Sequence, residues 1–399
     1  MMDESCHEVG YLSKDDRKGY RNVIGLGFVS FFTDISTEMI LSILPIYIIK
    51  ELGGSKAILG LIEGIAQALN YILRTISGII SDKIGRRKIV VFIGYSISNL
   101  TKPFLGFAKT WVDALIIRAV DRIGKGVRTS ARDALLSESI SDKKLGTAFG
   151  IHRAMDQSGA VIGPLLTIVI TAWIGLRYVF WLSFIPGILA LLPLIFIVEE
   201  RRRKISKKGV EYRFKQVMYR EFLLLLIVVA AFAIGAYNFS FILLRSSEIG
   251  IPDSLIPLIY MIINLSHTAI AIPFGSLADK IGRRNSLFIS YQTFILSTLF
   301  ILFSPATFFM AIIFAIIYGI YMGTSETIQR ALVAEYVSPE LRGTAYGLYY
   351  IVYGSMSLVA QTIFGYLWDI SGYKYAFTYS LVTSIIASLL LITLIRKKR

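Results

Sequence analysis

Long apolar runs separated by short polar loops set the pattern of the chain. A helix needs about 20 apolar residues to cross a hydrocarbon core. Runs of that kind lie near 22–49, 57–80, 89–107, 147–171 and 177–198, predicting helices 1, 2, 3, 5 and 6. After a polar, basic stretch from Glu199 to Arg220, further runs near 221–244, 254–277, 286–304, 307–334, 345–367 and 376–395 predict helices 7 to 12. Trp111 to Glu138 is too charged for hydropathy to accept, yet its counterpart at 307–334 is plainly apolar, so it is read as helix 4.

That counterpart relation is an internal repeat at one fixed offset of 197 residues. Gly78-Ile-Ile-Ser-Asp82-Lys-Ile-Gly-Arg-Arg87 matches Gly275-Ser-Leu-Ala-Asp279-Lys-Ile-Gly-Arg-Arg284, and Ala134–Gly150 matches Ala331–Gly347. In the second match Leu135, Glu138, Ser141, Gly146, Thr147, Ala148 and Gly150 recur as Leu332, Glu335, Ser338, Gly343, Thr344, Ala345 and Gly347. An even number of spans per half makes the halves parallel, and parallel repeats are a transporter architecture with the substrate site between the halves. The fold expected is an all-α integral membrane protein of twelve transmembrane helices in two six-helix bundles. Its divisions are an N-terminal tail 1–21, bundles 22–198 and 221–395, a basic linker 199–220 and a basic tail 396–399.

Composition agrees with this picture: 55% of the 399 residues are hydrophobic and mean hydropathy is +0.63. The formal charge of +15 would suit nucleic acid, but the basic residues gather in alternate short loops, and no soluble domain carries them. Lys83, Arg86, Arg87 and Lys88, the Arg201–Lys208 cluster, Lys280, Arg283 and Arg284, and Arg396–Arg399 all fall on one side. That side is cytoplasmic by the positive-inside rule, which puts both termini inside a plasma membrane. The linker reads as a solvated connector that also touches anionic headgroups. The lone Cys6 beside His7 can form neither an intramolecular disulfide nor a metal site, and the first apolar run is too long for a signal peptide.

With these residues in view the chain resembles the major facilitator superfamily. The loop Gly78-x-x-x-Asp82-Lys83-x-Gly85-Arg86-Arg87 is similar to the family's signature, repeated at Gly275, Asp279, Lys280, Gly282, Arg283 and Arg284. Gly159-x-x-x-Gly163-Pro164 on helix 5 resembles the motif of its antiporter branches, and Arg118 stands where the family often has a helix-4 arginine. The resemblance implies that helices 1, 4, 7 and 10 line a central cavity. It also implies that the repeated loops latch the cytoplasmic side and that the helix-5 motif shapes closure. Met356 and Ala360 stand where a repeat of Gly159 and Gly163 would be, so that motif belongs to one half.

Ionisable side chains at membrane depth cost roughly 2.5 to 3.5 kcal/mol each, so they are retained where they face a cavity or a partner. On helix 4, Arg118, Asp121, Arg122, Lys125, Arg128, Arg132 and Asp133 fall within an arc of roughly 140°. One face of this helix is therefore polar, and the other is left to meet lipid. Glu63, Gln67, Asn70 and Arg74 form a stripe on helix 2, Asp34 and Glu38 share a face of helix 1, and helix 5 adds Arg153, Asp156 and Gln157. Helix 10 has only Glu326, Gln329 and Arg330, so the charge is concentrated in the first half.

Two readings of these charges stand side by side. Arg74, Arg132, Asp133, Arg153 and Asp156 fit a buried structural network. Asp34 and Glu38 are candidate proton carriers, since burial disfavours a charged carboxylate, or else ion-pair partners of Arg118 or Arg122. Candidate substrate-cavity residues are Arg118, Asp121, Arg122, Lys125, Arg128, Glu63, Gln67, Asn70, Glu326 and Arg330.

Gly124 and Gly126 read as close helix contacts, as do Gly159 and Gly163, with a bend at Pro164. His152 and His267 are far apart with no neighbouring cysteine or acidic pair, His267 near Asn264 reads as a satisfied polar core residue, and no metal or cofactor is expected. No nucleophile with a base at helical spacing and no Gly-x-x-x-x-Gly-Lys loop is present, which argues against an enzyme and against direct ATP drive. The function expected is a monomeric secondary transporter working by alternating access. It would handle a small organic solute, as a proton-coupled antiporter or efflux permease. The alternatives are an organic-anion exchanger reading its substrate with the basic face of helix 4, and a membrane sensor that moves nothing.

Overall fold

The computed structural model describes residues 14–141, 144–200, 214–338 and 341–396. The calls on Cys6 and His7, on the basic cluster from Arg201 to Lys208 and on the end of the C-terminal tail lie outside these residues. The described chain is helical throughout, without strands.

Helix 1 runs Lys14–Leu41 and resumes at Leu44–Lys50; the break falls just before Pro45, which sits in the first turn of the second piece. Helices 2 to 5 are Lys56–Ile84, Arg87–Thr101 with a 3-10 extension Lys102–Phe107, Trp111–Ser139 and Leu145–Trp173. Helix 6 is cut into Leu176–Leu182, Phe184–Leu189 and Leu191–Phe196, and its last two pieces contain Pro186 and Pro193, which lack the N–H a continuous helix needs.

Helix 7 is also interrupted, into Arg220–Ala233 and Phe239–Glu248, where a single run to 244 was expected. Helices 8 to 12 are Ile256–Ile281, Arg283–Phe303, Phe308–Tyr336, Arg342–Ser371 and Tyr373–Arg396.

Among the described residues nine helices are long and apolar enough to cross a membrane. The other three of the twelve rods fail for visible reasons. Helix 4 is charged, helix 7 is broken, and helix 11 carries Tyr346, Tyr349, Tyr350 and Tyr353 in place of aliphatic residues. Helix 4 starts where expected because Thr110 and Asp113 form a capping box, each side chain bonding the other's backbone N–H. Phe107, Trp173, Phe196, Phe303 and Phe309 are mostly exposed apolar side chains, which only a lipid solvent makes favourable.

Helices 1 and 5 pack together, helix 4 lies against 2 and 3, and helix 10 lies against 8 and 9; the halves meet along helices 2 and 11 and along 5 and 8. The two ends of the molecule differ. At the end away from the basic loops, Lys50 pairs with Asp253 at 2.7 Å and Lys56 with Glu248 at 3.7 Å. The Asp369 carboxylate of helix 11 there accepts the backbone N–H groups of Lys56 at 3.0 Å and Ala57 at 2.8 Å, capping helix 2 across the halves. At the basic end a Cβ added to Gly146, Gly150 or Gly343 would meet nothing within 4 Å. The far end is tied, and the basic end is splayed open.

Candidate functional site

Between the halves lies a cavity of about 420 Å³. Asp34 and Glu38 reach it because of helix 5. A Cβ added to Gly163 would sit 2.8 Å from the Ile35 carbonyl oxygen and 2.9 Å from the Glu38 Cβ, and one on Gly159 would sit 3.2 Å from the Asp34 Cβ. The two glycines let helix 1 lie directly on helix 5, and Pro164 lies inside that continuous helix. Between Thr33 and Ile40 only Asp34 and Glu38 keep partial exposure, both into the cavity. Glu38 accepts a hydrogen bond from Asn264 Nδ2 of helix 8 at 3.3 Å and lies within reach of the Tyr260 hydroxyl. Asp34 lies within hydrogen-bonding reach of Asp156 on helix 5.

Helix 4 supplies the charged wall. Arg118 donates to Glu63 at 3.2 Å and to Asp121 at 2.9 Å, Arg122 lies 3.0 Å from Asp121, and Ser98 donates to Asp121 at 2.6 Å. Each of the four charged members is at most 7% exposed. The expectation that Asp34 or Glu38 would pair with Arg118 or Arg122 is corrected: those arginines are held by Glu63 and Asp121, because helix 2 packs closer to helix 4 than helix 1 does. Arg128 lies over the Tyr95 ring at 4.1 Å, and Gln67 and Asn70 also line the cavity.

The lipid-facing side expected for helix 4 is corrected too. From Ile117 to Ser139 none of its residues is exposed, since Gly124 lies against Gly94 and Ser98 of helix 3 and Gly126 against Leu73 of helix 2. Both faces of the helix are used.

Nearer the basic end, Asp133 pairs with Arg132 at 2.8 Å and Arg74 at 3.7 Å, and Asp156 with Arg153 at 3.0 Å. This is the internal network read from the sequence, except that Arg153 is half exposed. His152 and His267 line one side cavity together with Asp156 and Glu326, and His267 Nε2 lies 3.4 Å from Glu326. The expectation that the two histidines lie far apart is corrected, because helices 5, 8 and 10 converge here. The Arg330 side chain lies outside the described residues.

The second-half wall was not foreseen. Tyr237, Tyr318, Tyr321 and Tyr353 line it, with Tyr71 of helix 2 stacked on Tyr350 at 5.1 Å. The break in helix 7 is served by Gln361 of helix 11, whose Oε1 accepts the Asn238 N–H at 3.0 Å and whose Nε2 donates to the Ala236 carbonyl at 3.3 Å. Tyr318 donates to the Tyr237 carbonyl at 2.9 Å. Interrupted helices with satisfied backbone mark binding sites in transporters. The signal available in the sequence was Gly235-Ala-Tyr-Asn238, a turn-forming stretch inside an apolar run.

The repeated loops act within each half in this state. Gly85, at φ +64, ends helix 2, and Glu200 caps helix 3 by accepting the Arg87 and Lys88 N–H groups. Arg87 makes a two-point bond to Glu138 at the end of helix 4, joining the two matched motifs, and Arg283 donates to the Ala331 carbonyl. The Asp82 and Lys83 side chains lie outside the described residues, and Asp279 and Lys280 are exposed.

Comparison with known proteins agrees with this architecture. The Major Facilitator Superfamily model matches residues 26–266 and 223–399. An MFS-type transporter of Methanocaldococcus jannaschii is 36% identical over 388 residues, covering 95% of this chain and 96% of that protein. The multi-drug resistance efflux pump PmrA of Streptococcus pneumoniae is 26% identical, covering 66% of this chain and 68% of that protein. A crystal structure of the nucleoside transporter NupG superposes with a TM-score of 0.80 at 14% identity, covering 94% of this chain and 99% of that one. The fold is thus shared with a solved transporter, and the match over nearly the whole chain together with the 36%-identical relative shows that the chain belongs to the Major Facilitator Superfamily of multi-pass membrane transporters.

Proposed function

We propose that the protein is a proton-coupled secondary transporter that moves a small organic solute by alternating access. In this reading the basic end faces the cytoplasm, both termini are inside the plasma membrane, and a single chain suffices because it supplies every wall of the cavity. The structure is then an inward-open state whose far-end bonds at Asp253, Glu248 and Asp369 must break for the site to face outward.

One observation carries the proton coupling. Asp34 and Asp156 stand within hydrogen-bonding reach of each other in the cavity wall. A hydrogen bond between two carboxyl groups needs one proton, and two bare carboxylates at that range repel. Asp156 is already committed to Arg153 at 3.0 Å, so the transferable proton resides on Asp34. Likeness to an efflux pump fits export by antiport, which requires a solute that competes with that proton for Asp34, whereas a solute that binds together with the proton would travel with it.

The test is proton movement in proteoliposomes when organic cations and organic anions are added under an imposed pH gradient. Solute-driven proton movement that is abolished in Asp34→Asn supports the reading, and Glu38→Gln asks whether the second carboxylate shares the task. Proton movement that survives in both variants removes the proton-carrier assignment. Solute binding without flux of any kind converts the protein into a sensor with a transporter fold.

A further inference from the structure

We infer that the solute is a small organic anion whose acidic group binds Lys125, and that it travels in the same direction as the proton on Asp34. The inference rests on the proton-coupled reading above and deepens it.

The cations of the first-half wall are unequally occupied. Arg118 and Arg122 are held by Glu63 and Asp121, Arg132 by Asp133, and Arg153 by Asp156. Lys125 is different. It lines the cavity and is partly exposed, with no carboxylate within ion-pairing distance among the described residues, although its charge is felt by both Asp34 and Glu38. Beside it the buried guanidinium nitrogens Arg122 Nη2 and Arg128 Nη1 also lack hydrogen-bond partners. A cluster of unsatisfied N–H donors around one ammonium group calls for oxygen acceptors, and a carboxylate or phosphate supplies them.

The local charge balance depends on Asp34. Helix 4 presents Arg118, Arg122, Lys125 and Arg128 here, and the carboxylates against them are Glu63, Asp121, Glu38 and Asp34. With Asp34 ionised the four cations meet four anions. With Asp34 protonated they meet three, and one positive charge is left over. Helix 3 adds a cation rather than an anion, since Lys102 is 1% exposed and donates to the Thr37 hydroxyl at 2.9 Å.

On helix 5 the group facing Asp34 is Asp156, already bonded to Arg153, with His152 of the same helix and Arg132 of helix 4 behind it. Helix 8 contributes the neutral Asn264 and Tyr260, both directed at Glu38. Helix 8 also brings His267 and helix 10 Glu326, which lie 3.4 Å from each other and face Asp156 and Arg153, so the excess beside Lys125 is left for an anionic solute to neutralise.

The sign of the coupling follows. A proton on Asp34 frees Lys125 for the anion, and loss of that proton gives Lys125 a carboxylate that displaces the anion. Each ligand strengthens the other's binding by the same factor, as linkage requires. Two ligands that bind together are carried together, so the flux is cotransport rather than exchange. The stacked Tyr71 and Tyr350 and the neighbouring Tyr353 offer flat faces across the cavity for a planar remainder of the solute.

The experiment is direct proton counting on binding. Purified full-length protein in weakly buffered detergent solution is titrated with benzoate, phenyl phosphate, inorganic phosphate and benzylammonium while a pH indicator is read. The titration is repeated over a pH series, and the expected result is that at least one organic anion binds with net proton uptake at the alkaline end, where unliganded Asp34 has lost its proton; the benzoate and phosphate arms decide which acid group is preferred.

Lys125→Gln should weaken that binding by about tenfold or more, and Lys125→Arg should largely retain it. Asp34→Asn, a fixed stand-in for the protonated acid, should still bind the anion and take up no proton, which separates a lost proton site from a misfolded protein. Proton release on benzylammonium binding with no response to anions overturns the inference. So does anion binding that leaves the proton count unchanged at every pH, a Lys125→Gln protein that binds as well as the parent, or failure of every anion at millimolar concentration. Anion binding with proton uptake but no flux in liposomes would instead sink the transport reading and leave the site standing.

Discussion

The two walls of the cavity descend from one repeated unit and now have opposite chemistry. Adding 197 to Glu63, Asp121, Arg153 and Asp156 gives Tyr260, Tyr318, Tyr350 and Tyr353, so four charged positions of the first half are tyrosines in the second. Lys125 becomes Met322 and Arg118 becomes Ala315 by the same step, while the loops Gly78–Arg87 and Gly275–Arg284 remain nearly unchanged. The connecting loops stayed alike, and the walls diverged. The first half holds most of the charged groups, whereas the second, apart from His267 and Glu326, presents neutral hydroxyls, amides and rings. In the proposed reading, an asymmetric site inside a symmetric frame gives ion coupling to one half and leaves the other to shape and stacking.

The comparison breaks most visibly at Arg118. Arg118→Leu strands Glu63 and Asp121 as buried charges and should destabilise the protein by about 3–5 kcal/mol, whereas Tyr318→Phe in the second wall removes one hydrogen bond worth about 1 kcal/mol. Thermal unfolding in detergent checks this, and equal losses would mean the charged wall is not a connected network.

A second contrast lies on helices 5 and 11. Gly163→Leu forces a side chain into the helix-1 backbone and should cost about 1–3 kcal/mol and most of the turnover, while Ala360→Gly at the matching position should leave turnover nearly intact.

The smallest effect concerns the tied end. Asp369→Asn weakens the cap on helix 2 by about 1 kcal/mol and should lengthen the distance between spin labels at Lys109→Cys and Ile370→Cys, shifting the population toward the outward-open state. An unchanged distance distribution would show that Asp369 does not hold that end shut.

The fold was largely written in the order of apolar runs and in the fixed offset, which located helix 4 despite its charge. What the runs hid were the interruptions: helix 7 breaks at Gly235–Asn238 inside an apolar stretch, and the side chain that satisfies it, Gln361, comes from helix 11. Long-range partners of this kind leave no periodic trace.

Asp34 and Glu38 stood out because a carboxylate in an apolar run is costly. Their geometry did not, since Asp34 meets Asp156 only through the Gly159–Gly163 contact. The pairing of Arg118 with Glu63 rather than with helix 1 likewise depends on how closely helix 2 packs, through Gly126. The tyrosine wall was invisible for a simpler reason: a tyrosine inside a hydrophobic span reads as one more apolar residue until the cavity shows which way the hydroxyls are used.

The central claim is that the proton is carried by the charged wall and not by the tyrosine wall. The direct test is gradient-dependent solute flux in proteoliposomes of the parent protein, Asp34→Asn and Tyr353→Phe. The labelled solute is whichever of benzoate, phenyl phosphate and benzylammonium gives the largest proton response. The account predicts that the parent and Tyr353→Phe accumulate solute when a pH gradient is imposed, and that Asp34→Asn equilibrates it without accumulation. Gradient-driven accumulation by Asp34→Asn, or its loss in Tyr353→Phe alone, would contradict it.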